Sequence, residues 1–170
     1  MSKNLFLLYK LRHYFNQNEQ KIFYFAHCLS HIKYASCVWF KSSQELINKL
    51  NSLHRRGIKL ICDIQNISTD EKFSLLKIMS QQSIFPYNVA MLVYKSINNL
   101  SSPYLKLLIY HSHYRETRLK IPSCRMKLSQ SRFSYIGPKI WNTLPLQIHC
   151  SQSIGRFRID LKTFFLNHES

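Results

Sequence analysis

Carboxylates are scarce in this sequence, and they are the groups most metal-dependent chemistry requires. Of 170 residues only 8 are Asp or Glu, against 24 Lys and Arg, a formal charge of +16 with neutral histidines. Asp63, Asp70 and Asp160 are the only aspartates, and none is adjacent to another. A nucleic-acid polymerase needs converging carboxylates to hold two metal ions about 3.5–4 Å apart on the reacting phosphate. Asp70 and Glu71 form the one adjacent acidic pair, and their place just after Ser68 and Thr69 fits the start of a helix better. Neither a Gly-rich phosphate loop nor a Gly-x-Ser-x-Gly elbow occurs. No catalytic residues are therefore expected within the chain.

Other absences narrow the class further. With 3 glycines and 5 prolines the chain has little material for a turn-rich β architecture, and helices are expected. No stretch approaches the roughly 18 uncharged apolar residues of a spanning helix. The apolar run Leu5 to Tyr9 is too short for a secretory signal, and Arg12 soon follows it. Cys28, Cys37, Cys62, Cys124 and Cys150 are odd in number and irregular in spacing, so they read as reduced thiols of an intracellular protein, nuclear or cytoplasmic. His27 and His31 match one half of a zinc spacing, but no Cys-x-x-Cys pair accompanies them. No metal and no cofactor are expected.

What the chain does have is apolar and aromatic side chains, 45% and 14%, enough for a core. The pattern predicts a mostly α fold, a bundle-like helical part over residues 1–108 and an irregular basic segment over 109–170 with a closing helix. The two are expected to form one continuous module. Leu5 to Phe15 is a first helical stretch, broken by Asn16, Gln17 and Asn18. A second runs from Glu19 to Phe40 through Ile22, Phe25, Leu29, Ile32 and Trp39. Ser42-Ser43-Gln44-Glu45 fits a capping box that opens a third, in which Leu46, Leu50, Leu53 and Ile61 make one stripe. Gly57 falls on the same face, where a close packing contact is expected. Ser68-Thr69-Asp70-Glu71 opens a fourth, through Phe73, Leu76 and Met79, and Pro86 can open a fifth that ends at Asn98 and Asn99. Ile154, Phe157, Leu161 and Phe164 recur at helical spacing and predict the last helix.

The charge is concentrated in the second part, with 11 basic residues and two acids between Lys106 and Lys162. So lopsided a balance attracts a polyanion, and phosphate contacts from Lys and Arg supply most non-specific nucleic-acid affinity. Arg115, Arg118, Arg125, Arg132 and Lys139 are one candidate phosphate-binding set, and Lys49, Arg55, Arg56 and Lys59 on the third helix are another. Any one of them is also an ordinary solvated charge. Gly137-Pro138 is expected to make a turn that presents Trp141 to an apolar seat, with Leu144-Pro145 ending the segment.

An ordered series of residues in this half has a specific likeness. Tyr114-Arg115-Glu116-Thr117-Arg118, then Pro122 and Arg125, lead to Arg132-Phe133-Ser134-Tyr135-Ile136-Gly137-Pro138-Lys139-Ile140-Trp141-Asn142-Thr143-Leu144-Pro145. This resembles the region after the polymerase domain in LINE-type, jockey-like non-LTR retrotransposon reverse transcriptases, with its Phe-Ser-x-x-Gly-Pro-x-x-Trp-Asn-x-Leu-Pro string. His31 to Trp39, Lys49 to Ile61, and Tyr94-Lys95 followed by Ser102 to Leu105 are similar to earlier segments of the same region. The chain departs from the pattern by one inserted residue before Thr117-Arg118, and by His54 and Gly57 where Gln and Ala are commoner.

The resemblance implies a non-catalytic piece of an RNA-directed DNA polymerase, next to its thumb, touching template RNA or target DNA. Its partners would be RNA or DNA backbones and the parent polymerase domain, with no membrane. Gly137, Pro138, Trp141, Asn142, Leu144 and Pro145 are then structural. A reading from another class stays open, a protein-interaction module or remnant of a degenerate element with no nucleic-acid role.

Overall fold

The chain is mostly α-helical. The computed structural model describes residues 1–34, 36, 44–62, 64, 66–111, 118–126 and 128–167. Cys37, Trp39, Asp63, Arg115 and the Ser42–Ser43 start of the third helix lie outside the described residues. Two compact units divide the chain, Met1–Phe85 and Pro86–Asn167.

In the first unit, α1 (Ser2–Leu11) is followed by α2 (Gln17–Tyr24), whose start is fixed by a capping box. Asn16 accepts from the Glu19 amide at 3.0 Å, and Glu19 accepts from the Asn16 amide at 2.8 Å. The polar break expected after the first helix is thus also the cap of the next. A π-helical turn, Phe25–Leu29, carries α2 into α3 (Ser30–Lys33). The long helix α4 (Gln44–Ile61) and α5 (Thr69–Leu76) complete the set. The Ser68–Glu71 box opens α5 as expected, with reciprocal bonds of 3.2 and 3.1 Å. The expected run to Met79 stops at Leu76, because Lys77 turns left-handed at φ 53°. Ile78 and Met79 are nevertheless buried.

The stripe on α4 differs from its expected course. His54, Gly57, Ile58 and Ile61 are buried, Leu50 and Leu53 are half-buried, and Leu46 is exposed. The fully buried positions of this 18-residue helix, about 27 Å long, all lie in its C-terminal half. His54 organises that half. The Tyr24 hydroxyl bonds its Nδ1, and its Nε2 bonds the Met79 carbonyl at 3.1 Å. The Phe73 ring lies 4.9 Å away. A ring that donates from Nε2 and accepts at Nδ1 is neutral, and burial lowers the His54 pKa to about 4. Burial likewise pushes Tyr24 up, and Cys28 up to about 11.

In the second unit, α6 (Gln81–Ile97, begun in the first) leads to α7 (Pro103–Leu107) and a two-residue antiparallel pair, β1 (Tyr110–His111) and β2 (Leu119–Lys120). A 3-10 turn (Ser129–Ser131), α8 (Phe133–Thr143), α9 (Leu146–His149) and α10 (Ile154–Asn167) follow. Two expectations about proline are corrected. Pro86 does not open its helix but sits inside α6, where it removes one ladder bond. Gly137-Pro138 does not turn the chain either; it lies within α8. The residue before a proline resists the helical region partly because its Cβ meets the proline ring, and Gly137 has no Cβ. Glycine there also lets α6 approach, since a Cβ would come within 3.1 Å of Val93 Cγ2. The closing helix buries Phe157 and Leu161, and Tyr94 stacks on Phe157 at 4.1 Å.

The expected close contact at Gly57 is present, and its sign can be worked out. A Cβ there would strike Tyr24 Cε2 and lie 3.1 Å from Leu5 Cδ2. Alanine gains about 1 kcal/mol of helix propensity over glycine, but the Tyr24 ring is held by His54 and overpacking costs about 1–3 kcal/mol. Gly57→Ala is expected to lower the urea midpoint of the chain; an unchanged or raised midpoint would show that Tyr24 yields freely.

His54 also predicts a pH dependence. The unfolded chain takes up its proton near pH 6.5 and the folded one only near 4, so the unfolded state binds more protons between those values. Stability is complete above pH 6.5 and falls as pH drops through the window, by roughly 3 kcal/mol. His54→Leu, though less stable at neutral pH, should lose most of that slope in urea titrations at several pH values. An undiminished slope would place the titration elsewhere.

Candidate nucleic-acid interface

The Gly137–Pro145 block is assembled mainly as a frame. Gly137, Pro138, Trp141 and Leu144 are buried, Asn142 is half-buried and Pro145 is exposed as the residue before α9. Trp141 stacks on His149 at 4.5 Å and 7°, and its ring centre lies 5.9 Å from that of Phe157. His149 Nε2 donates to the Trp141 carbonyl at 2.9 Å, so Nδ1 carries a lone pair, buried and without a partner among the described residues. Burial first, and the charge of Arg118 last, lower the His149 pKa and hold the ring neutral. Trp141 is thus enclosed by its own unit rather than open to stack on a base.

Asn142 bonds a residue well back along the chain. Its Nδ2 donates to the Leu119 carbonyl at 2.8 Å, and its Oδ1 accepts from the Leu119 amide at 3.0 Å. One side-chain amide therefore closes both backbone groups of a residue 23 positions earlier, fixing β2 against α8. Leu119 is buried, while Arg118 and Lys120 on either side of it are exposed. The clamp sets where those two cations leave the surface.

The remaining candidates of this unit come from elements next to α8. Arg125 is exposed on the strand-free stretch before the 3-10 turn, Arg132 is exposed at the N-cap of α8, and Lys139 is exposed on α8 itself. No side chain caps that helix start. Among the described residues, Arg118, Arg125, Arg132 and Lys139 have no carboxylate partner. The structure thus sets Arg132 and Lys139 on α8 and Arg118 next to the strand clamped to it, with Arg125 on the stretch between; Arg115 lies outside the described residues.

The patch on α4 is less free. Lys49 pairs with Glu45 at 2.6 Å, and Arg55 with Asp70 at 3.1 Å, the latter through one guanidinium nitrogen that touches both carboxylate oxygens. Both pairs are largely exposed, so each is worth a fraction of a kcal/mol and a phosphate can compete for the cation. Arg56 and Lys59 are exposed with no carboxylate partner among the described residues.

One surface escaped the reading of the sequence. On α1, Lys10 Nζ sits 5.6 Å from the Phe6 ring centre, and Arg12 Cζ lies 4.7 Å from that of Tyr9. The i,i+4 and i,i+3 spacings of these pairs were the available signal. Among the described residues no group of three or more His, Cys, Asp or Glu is placed to hold a metal ion. Nor is any described helix long and apolar enough to cross a membrane.

Asn142→Ala should destabilise the second unit by about 2–3 kcal/mol, since two bonds are lost and two backbone groups are left unsatisfied. It should also speed amide exchange at Leu119. Asn142→Asp keeps the acceptor and sets a carboxylate against the Leu119 carbonyl, so it should cost nearly as much. Unchanged Leu119 exchange in Asn142→Ala would refute the clamp. Comparison of the chain with protein-family models, with curated proteins and with solved structures found no match.

Proposed function

We propose that this chain is a non-catalytic nucleic-acid-binding module, the part of a LINE-type reverse transcriptase that follows the polymerase domain. It holds RNA or DNA by the phosphates, without reading sequence. The observation that carries the proposal is the set of exposed cations on and beside α8, Arg118, Arg132 and Lys139, which have no carboxylate partner among the described residues and leave from a polar-clamped frame. Guanidinium groups match phosphate in geometry and in charge, and backbone contacts position a duplex or strand rather than specify it. The family part of the proposal rests on the ordered Gly137–Pro145 block and its flanking matches.

Binding to a duplex of arbitrary sequence should weaken steeply with salt, by about 0.9 in log affinity per log salt for every phosphate neutralised. Replacing Arg118, Arg125 and Arg132 by Gln should reduce that slope by up to about 3, and replacing Arg56 and Lys59 by up to about 2. Anisotropy titrations across a salt series read both changes. Absence of binding at low salt, or binding indifferent to salt, would end the proposal.

A further inference from the structure

We infer that the outer flank of α1 is a stacking platform for single-stranded nucleic acid, formed by Phe6, Tyr9 and Tyr14 with Lys3, Lys10 and Arg12. The inference rests on the nucleic-acid reading above and adds to it a second site and a preference for unpaired strands. Leu5 and Leu8 anchor the helix in the core of the first unit, buried to 3% and 0% exposure, which points the remaining side chains outward. Residues 3, 6 and 10 share one side of a helix, with residue 9 beside them. Phe6 is 63% exposed, Tyr9 45% and Tyr14 83%, so three aromatic rings stand in solvent within nine residues of sequence. An exposed ring is costly to leave bare, and three of them so close are not explained by packing within the unit.

The charges beside these rings choose the ligand. Lys10 lies over one face of Phe6 and Arg12 over one face of Tyr9, which leaves the opposite face of each ring for a base. No acidic residue occurs among residues 1–18, and the first, Glu19, is occupied in the cap of α2. Rings at helical spacing interleaved with cations, in a stretch whose sequence has no acid, suit a strand whose bases stack while its phosphates meet Lys and Arg. A duplex, whose bases are already stacked on each other, cannot use the rings. A membrane surface suits the flank less well. An interfacial helix inserts a continuous apolar face, and the most apolar side of α1, Leu5 and Leu8, is already committed to the core.

The test compares two oligomers of equal length and charge on the full chain, an oligothymidylate of about 12 nucleotides and its abasic counterpart. The native protein should bind the oligothymidylate about tenfold or more tightly than the abasic strand. Phe6→Ala and Tyr9→Ala, with thermal unfolding checked against the native chain, should each lower thymidylate affinity several-fold and together erase the difference. Abasic affinity should stay nearly unchanged in both. Equal affinity for the two oligomers, with steep salt dependence, overturns the platform and leaves the phosphate reading standing. Failure to bind either oligomer or a duplex at low salt overturns both. Tighter binding to phosphatidylserine vesicles than to the oligothymidylate, lost in the same variants, also overturns the platform and assigns the flank to a membrane surface.

Discussion

Twenty-four cations share eight carboxylates in this chain, and the way those few acids are used governs the rest of the structure. Five of the eight, Glu19, Glu45, Asp70, Glu71 and Asp160, lie among the described residues. Glu19 and Glu71 complete capping boxes, where a carboxylate satisfies an amide at the positive end of a helix. Glu45, Asp70 and Asp160 hold Lys49, Arg55 and Arg156. All five act within the chain, at helix starts or on a neighbouring cation. The surplus positive charge therefore repels itself within the compact chain.

Such a charge demands cores that can tolerate self-repulsion, and each unit has a polar group locking its apolar packing. In the first, His54 is buried among Tyr24, Phe73 and Met79 with both ring nitrogens satisfied. Its neutrality follows from its surroundings, for a charged imidazole there would lose its hydration. In the second, Asn142 holds both backbone groups of Leu119, and Trp141 is seated between His149 and Phe157. Satisfied buried polar groups of this kind restrict a core to one arrangement, because every slip of register leaves donors or acceptors unpaired.

Much of the fold was legible in the sequence because its signals are local. The Ser68–Glu71 box, the end of α6 at Asn98-Asn99 and the Phe157–Leu161 spacing each involve residues within a turn or two. The errors arose where a distant partner decides. Gly137-Pro138 reads as a turn from its own chemistry, yet it lies within α8, with Val93 packed close to where a side chain would otherwise stand. Leu46 belongs to the apolar stripe by spacing but is 56% exposed. Trp141 and Asn142 could be singled out by type, whereas their roles depend on His149 and Leu119, eight and 23 positions away. The flank of α1 was hidden for another reason. Leu, Phe and Tyr are dense on every side of that helix, and only the structure separates the side that is buried from the side that is not.

The frame and the charge are connected by one geometric fact. In a strand, neighbouring side chains point to opposite faces, so fixing Leu119 inward turns Arg118 and Lys120 outward together. Asn142 fixes Leu119 through the backbone, which means that the register of β2 does not depend on the side chains flanking it. Those flanking positions can then carry any exposed residue without loss of fold, and both carry a cation. A purely structural strand would gain nothing from two like charges placed side by side on one edge, with the Arg118 charge also bearing on a neutral His149. On the proposed nucleic-acid role, a phosphate over that edge would relieve the repulsion, and the clamp would keep the edge in place to meet it.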